Sequence, residues 1–225
     1  MNKSREHPAK TPSRPSIINQ RFPKLYVIAA PSGGGKTSLI SALLNKDERA
    51  RLSVSHTTRP PRPGERDGVH YHFIDEPAFL DLVSQNAFLE HARVFDYHYG
   101  TGRQSVERQL AAGYNVILDI DWQGARQIRK AFPSCCSIFI IPPSLEVLRQ
   151  RLTGRGQDSA QVIQRRMHDA QEEISHWTEF DFLIINDDFD EALSDLRSII
   201  QSGKPNRAVK EQQRREILAE LLGTR

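Results

Sequence analysis

Cysteine is scarce in this sequence, and long apolar runs are missing. The 225 residues include two cysteines, Cys135 and Cys136, which are adjacent. Neighbouring cysteines rarely form a disulfide because the geometry is strained, and no Cys or His cluster has the spacing of a zinc site. No segment approaches the roughly 20 apolar residues of a membrane helix. The basic N-terminal residues are not followed by an apolar segment, which argues against a secretory signal. We therefore expect a cytoplasmic protein with no membrane partner.

Neither sign of charge dominates the chain, whose formal net charge is +3. Part of the basic excess lies in residues 1–22, which hold five Lys or Arg, one Glu and three prolines. This composition predicts a disordered basic tail. Because such runs are more often solvated than bound to nucleic acid, we expect no nucleic-acid partner. The sequence does not indicate an oligomeric state.

Strand-like and helix-like segments alternate along the rest of the chain, which predicts an α/β fold with a mostly parallel sheet. Alternation over Val69–Ile74 and polar, Pro-rich residues before it predict a small, partly β insertion. Ser144 is expected to N-cap a helix. The predicted core strands are Lys24–Ala30, Leu52–Ser55, Asn115–Ile120, Ser137–Ile141 and Phe182–Ile185. Ligands of such sheets bind at the carboxyl ends of the strands.

A phosphate-binding loop follows the first of these strands. Its residues are Ala30, Pro31, Ser32, Gly33, Gly34, Gly35, Lys36 and Thr37. They match the P-loop pattern except that Ala30 replaces the first glycine. The glycines let backbone N–H groups turn toward phosphate oxygens, and the following helix N-terminus adds positive field. Lys36 supplies a mobile charge and the Thr37 hydroxyl is a Mg²⁺ ligand, so the loop predicts a nucleoside triphosphate.

Two arginines, Arg59 and Arg62, lie three residues apart on a loop stiffened by prolines. Such a pair can clamp a phosphate, and the phenol groups of Tyr71 and Tyr99 could complete the clamp. Taken alone, the arginines would fit a solvated loop equally well.

Six segments of the chain resemble those of guanylate kinases in the same order. They are APSGGGKT, VSHTTRPPRPGERDGVHYHF, FLEHARVFDYHYGT, VILDIDWQG, RLTGRGQ and IINDD. The resemblance runs from Lys24 to about Gly203. It implies a P-loop three-layer α/β/α core formed by residues 23–54 and 102–225, a GMP-binding insertion at 55–101 and a short helical lid at 150–168. The implied reaction is the transfer of the γ-phosphoryl group of ATP to GMP, with Mg²⁺ as cofactor.

The resemblance also implies roles for individual residues. Those implied to bind GMP are Ser55, Arg59, Arg62, Tyr71, Glu90, Tyr99, Thr101 and Asp119. Those implied to bind ATP are the loop residues 30–37 with Arg151, Asn186 and Asp187. Those implied to be catalytic are Lys36, Arg59, Arg155 and Arg166, and those implied to hold the metal are Thr37 and Asp119. Arg149 and Arg165 lie near the lid arginines, so the assignment among these stays open. Asp121 could instead cap a helix.

The guanine-reading assignment makes chemical sense. Guanine presents N1–H and its N2 amino group side by side, and one carboxylate, that of Glu90, can accept from both. Adenine lacks both donors, and a site built on such bonds can discriminate by about 10⁴ or more. Two alternatives remain: a P-loop kinase with another acceptor, and a non-catalytic guanylate-kinase-like binding module. The intact loop and lid arginines argue against the second.

Overall fold

In the computed structural model, the described residues are 24–94, 96–154, 160–206 and 211–223. Arg155 and the predicted tail at 1–22 lie outside these ranges. The strands are β1 Leu25–Ala29, β2 Ala50–Leu52, β3 His56–Thr57, β4 His72–Phe73, β5 Phe88–Val94, β6 Tyr97–Gly102, β7 Asn115–Asp119, β8 Cys136–Ile141 and β9 Phe182–Ile185. The helices are α1 Lys36–Lys46, α2 Glu76–Ser84, α3 Arg103–Ala111, α4 Trp122–Ala131, α5 Leu145–Thr153, α6 Ala160–Ser175, α7 Phe189–Ser202 and α8 Glu211–Leu221, with a 3₁₀ turn at His176–Glu179.

The larger sheet has five strands in the order β2-β7-β1-β8-β9. All its pairings are parallel, as the alternating pattern predicts. After β1 the chain goes to one side of the sheet, forming β2 and β7, and later builds β8 and β9 on the other side. The direction of winding therefore changes at β1, and such a switch point leaves a crevice beyond the strand ends.

Both faces of this sheet are covered by helices, which gives the expected three-layer α/β/α core. All five residues of β1 are buried. Tyr26 and Ile28 pack in a cluster that includes residues of α1 and α7. Val27 packs with α3 and α4, and Ala29 packs with α6 and α8. Two-sided burial explains why this strand is apolar at every position.

A second sheet, in the order β4-β3-β6-β5, is built from residues 56–102. Helix α2 packs on it through Phe79, which is fully buried and stacks on Phe88 with ring centroids 4.8 Å apart. The strand expected at Val69–Ile74 is shorter than predicted, because the positive φ of Gly68 turns the chain there and its N–H donates to Tyr71 O.

The second core strand also differs from its prediction, since it is Ala50–Leu52 rather than Leu52–Ser55. Ser53 N still donates to Ile117 O, but the chain then leaves the larger sheet and enters β3. Among the described helices, none has the length and apolar character needed to cross a bilayer.

The predicted N-cap of α5 is confirmed and offers a test of local stability. The Ser144 hydroxyl accepts from Val147 N at 3.2 Å. We expect Ser144→Ala to lower the free energy of unfolding by about 1 kcal/mol, as for other lost caps, when measured by urea denaturation. Ser144→Asn, which keeps a capping oxygen, should stay near the wild type. Equal stability of the Ala variant and the wild type would show that this cap contributes nothing.

Candidate functional site

A cavity opens at the carboxyl ends of β1 and β7, between the larger sheet and the second sheet. It is lined by most of the residues that the sequence predicts for the site. These are Ala30, Pro31, Ser32, Gly33, Gly35, Lys36, Thr37, Ser55, Tyr71, Glu90, Tyr99 and Asp119. The fold therefore brings the phosphate loop and much of the predicted acceptor site to one place.

The phosphate loop leaves β1 and enters α1 through a tight turn. Gly34 N donates to Pro31 O at 2.9 Å. Gly33 and Gly35 have φ values of 85° and 90°, a region that other residues rarely adopt. No side chain caps the N-terminus of α1, so its first amides are free of side-chain acceptors. Amides in this arrangement, at the positive end of a helix, bind anions.

Lys36 lies between the loop and the end of β7. Its Nζ is 2.7 Å from Asp119 Oδ1 and donates to Ile120 O at 3.0 Å. Burial alone would lower the pKa of Lys36, but the charge of Asp119 and its hydrogen bond outweigh burial and raise it. The ammonium therefore stays charged at neutral pH.

Asn186 and Arg151, two residues predicted for the ATP site, hold the phosphate loop through hydrogen bonds. Buried Asn186 donates from Nδ2 to Gly34 O at 2.9 Å, and its own carbonyl accepts from Arg151 Nη2 at 2.9 Å. A Cβ on Gly35 would come within 2.2 Å of Asn186 Nδ2, so only glycine fits there. Neither side chain lines the cavity, and Asp187 is exposed.

Glu90, a residue predicted for the acceptor site, is buried, with only 3% of it exposed. The Thr101 hydroxyl donates to its Oε1 at 2.5 Å. Burial raises the pKa of Glu90 to about 7, and the hydrogen bond from Thr101 only partly offsets this. Thr101 thus lies behind Glu90 and outside the cavity lining, whereas Ser55 and Glu90 face the cavity.

Arg59 is fixed by a residue to which the sequence analysis gave no role. Its Nη2 donates to both carboxylate oxygens of Glu65, at 2.8 and 2.9 Å, and Nη1 donates to Pro60 O. Its guanidinium lies 5.5 Å from the centre of the Tyr71 ring. Glu65 also accepts from Arg62 N at 2.7 Å. Arg62 itself is exposed, and neither arginine lines the cavity.

Two further acids face the cavity, Asp121 and Glu173. Asp121 caps α4, since its Oδ1 accepts from Gly124 N at 2.9 Å, which was the alternative left open above. Glu173, on α6, accepts from Ser32 N at 3.0 Å. Glu173 could not be predicted from the sequence, because nothing in a charged helix distinguishes one acid from its neighbours. Arg166 is half buried on the same helix.

A Gly-rich loop joins a central parallel strand to a helix that begins with Lys-Thr, and the cavity beside it also holds a buried carboxyl group. This arrangement is typical of a P-loop phosphotransferase. Comparison with known proteins identifies the family. The family model described as guanylate kinase matches residues 22–203. The chain is 57% identical over 199 residues to the guanylate kinase of Alkalilimnicola ehrlichii, covering 88% of this chain and 98% of that protein.

Further comparisons agree with this identification. The guanylate kinase of Nitrosococcus oceani is 54% identical over 198 residues, again 88% of this chain and 98% of that protein. The crystal structure of guanylate kinase from Anaplasma phagocytophilum superposes with a TM-score of 0.69 at 33% identity, covering 88% of this chain and 94% of that one. The chain belongs to the guanylate kinase family, which confirms the resemblance and the fold class. Its reaction is the transfer of a phosphoryl group from ATP to GMP.

The close approach of α4 to Glu90 yields a prediction about Gly124. A Cβ there would lie 2.4 Å from Glu90 Oε2 and 3.0 Å from Cδ, so Gly124→Ala must displace the carboxylate. We expect the variant to lose about tenfold or more in kcat/KM for GMP, measured with a coupled ADP assay. Its stability should stay within about 1 kcal/mol of the wild type, because alanine favours a helix over glycine by that amount.

Gly102→Ala is the matched control for this experiment. A Cβ on Gly102 would meet nothing closer than a His56 ring atom at 3.4 Å, which is ordinary contact. The control should keep kcat/KM for GMP within about twofold, since nothing near Glu90 moves. Full activity of the Gly124 variant would show that the position of the carboxylate is not critical.

Proposed function

We propose that the chain transfers the γ-phosphoryl group of Mg·ATP directly to GMP within the cavity described above. The observation that carries this proposal is that a P-loop lysine, Lys36, and a buried carboxyl group, Glu90, line the same cavity. The lysine can bind the phosphates of ATP, and the carboxyl group can accept hydrogen bonds from a base with two adjacent donors. Transfer needs no covalent enzyme intermediate, so catalysis rests on positioning and electrostatics.

On the acceptor side, we assign guanine to Glu90, Ser55 and Thr101. The Glu90 carboxylate accepts from N1–H and N2–H of guanine, and the Ser55 hydroxyl, which also lines the cavity, can donate to O6. Thr101 acts by holding Glu90 Oε1. Adenine would leave the buried carboxylate without donors, which costs more than a missing apolar contact.

The phosphate of GMP is assigned to Arg59, Arg62, Tyr71 and Tyr99. Tyr71 and Tyr99 line the cavity, with their ring centroids 6.0 Å apart. Arg59 lies against the Tyr71 ring, and Glu65 holds its guanidinium in a fixed orientation. Exposed Arg62 would reach the phosphate from the same loop.

On the ATP side, Lys36 and the loop amides are assigned to the β- and γ-phosphates. A lysine ammonium has three N–H donors. In the described part of the chain, Asp119 and Ile120 O account for two of them. The third donor can contact phosphate while the bond to Asp119 persists. We propose that Lys36, Arg59, Arg166 and Arg155 stabilise the negative charge that develops on the phosphoryl group during transfer. Arg155 lies outside the described residues.

Arg151, Asn186 and Asp187 remain assigned to the ATP side. For Asn186, the contact with Gly34 O supports a role in shaping the loop. For Arg151, the bond from Nη2 to the backbone carbonyl of Asn186 supports a role in holding Asn186 against the loop. A cytoplasmic location stays a prediction.

The residues present fit a Mg²⁺ ion bound with the nucleotide. Thr37 and Asp119 line the cavity with a hydroxyl and a carboxylate oxygen, and Mg²⁺ prefers oxygen ligands. The described residues contain no cluster of three or more His, Cys, Asp or Glu that could hold a metal by themselves. Kinase sites commonly use one or two protein ligands plus substrate phosphates. When bound, the ion would neutralise charge on the β- and γ-phosphate oxygens.

The raised pKa of Glu90 provides the test of guanine recognition. Because the pKa is about 7, Glu90 is largely protonated at pH 6 and must lose its proton to accept from both guanine donors. The Kd for GMP should therefore rise about tenfold between pH 8 and pH 6, measured by calorimetry. Binding at pH 6 should also release a proton.

Glu90→Gln is the control, since an amide does not titrate in this range. Its Kd for GMP at pH 8 should be roughly tenfold to a few hundredfold weaker, because one contact becomes donor against donor. Its remaining pH dependence reports the GMP phosphate, whose second pKa is about 6, together with the other titrating groups that both proteins share. Identical pH profiles for the variant and the wild type would remove Glu90 from the guanine site, as would unchanged affinity at pH 8.

A further inference from the structure

Glu173 is an ionisable group in the cavity that the roles above do not use. It lies on α6 and reaches across 141 residues of sequence to Ser32, whose N–H donates to its Oε2 at 3.0 Å. Its carboxyl group faces the same cavity as Lys36 and Asp121. A carboxylate beside bound phosphates would repel them, so its presence there calls for a role other than direct binding.

Ser32 is in the first turn of the phosphate loop, where the backbone reverses after β1. Gly34 N closes this turn by donating to Pro31 O. The amide of Ser32 takes no part in that hydrogen bond, and the acceptor that the structure describes for it is Glu173. The direction of this peptide sets the start of the run of amides that ends at Thr37. An acceptor held at this point therefore helps to fix the shape of the loop.

The surroundings of Glu173 indicate that its side-chain oxygen, as a hydrogen-bond acceptor, matters more for its role than the negative charge of its carboxylate. Burial raises the pKa of Glu173 to about 7, against the opposing effects of the Ser32 amide and Lys36. Asp121 and Asp169 also face it and add to the increase. A group that is costly to charge, yet remains within hydrogen-bond reach of a backbone amide, acts as an acceptor in either protonation state.

The helix that carries Glu173 also carries a residue assigned to catalysis. Arg166 is seven residues earlier on α6, two helical turns away and on the same side of the helix. Helix α6 begins at Ala160, within the segment predicted to be the lid. A bond from Glu173 to the loop therefore ties the loop to the helix that carries Arg166.

We infer that Glu173 is a positioning residue, whose side-chain oxygen accepts from Ser32 N and holds the phosphate loop in the shape that binds ATP. The inference deepens the proposed function and depends on the loop being the ATP site. Loss of the oxygen should weaken ATP binding, whereas loss of the charge alone should not. GMP binding, which uses other residues, should be unaffected.

Three variants and one control test this inference. Glu173→Gln keeps an acceptor oxygen without the charge, whereas Glu173→Ala removes the oxygen. Glu173→Met also removes it but fills similar space, which protects against a variant that simply fails to fold. Glu172→Ala, at an exposed neighbouring position on α6, is the matched control. For each folded variant, the Kd values of ATP and of GMP are measured separately by calorimetry.

We expect the Ala and Met variants to bind ATP about tenfold or more weakly, with the Kd of GMP within about twofold of the wild type. The Gln variant and the Glu172 control should bind ATP within about threefold of the wild type. An unchanged Kd for ATP in the Ala and Met variants would overturn the inference. So would equal weakening of ATP and GMP, or a Gln variant as impaired as the Ala variant. Failure of the proposed function would appear differently, as a wild-type protein that does not phosphorylate GMP.

Discussion

The ion pair between Lys36 and Asp119 joins the two structural elements on which the ATP side depends. Lys36 opens α1 after the phosphate loop, and Asp119 ends β7, the strand paired with β1. Lys36 is mostly buried, with 19% of its side chain exposed, and an ammonium there without a partner would be destabilising. The carboxylate at the strand end therefore lets the loop keep its positive charge before a nucleotide arrives. The parallel sheet makes this possible, because it places the ends of neighbouring strands side by side.

The acceptor side is organised in the opposite way. Glu90 is buried beside the Thr101 hydroxyl, and its pKa of about 7 means that it is charged in only part of the population at neutral pH. In the proposed function, the donors that would stabilise its charged form come from guanine. Under the proposed assignments, the ATP side is thus charged before the nucleotide binds, whereas the acceptor side gains its full charge with the substrate. In the proposed function, recognition of guanine is therefore coupled to the loss of a proton from Glu90.

Local patterns in the sequence predicted much of this protein. The apolar run of β1, the glycines of the loop and the last strand Phe182–Ile185 could be recognised because each depends on neighbouring residues. The contacts of Glu65 and Glu173 could not, because each forms only when distant or folded-back segments meet. The spacing of residues along α6 does not distinguish Glu173 from the other acidic residues of that helix. Strand β4 was overestimated because alternation alone does not reveal the turn made by Gly68.

The central claim is that one cavity joins an ATP loop to a guanine-reading carboxylate. The most direct test compares wild-type kcat/KM for GMP, AMP, UMP and dTMP at a fixed concentration of Mg·ATP. The account predicts that GMP is preferred over AMP by about 10⁴ or more, as expected of a site that hydrogen-bonds the base. Comparable values for GMP and AMP would contradict it, because a buried carboxylate left without donors could not then be part of the acceptor site.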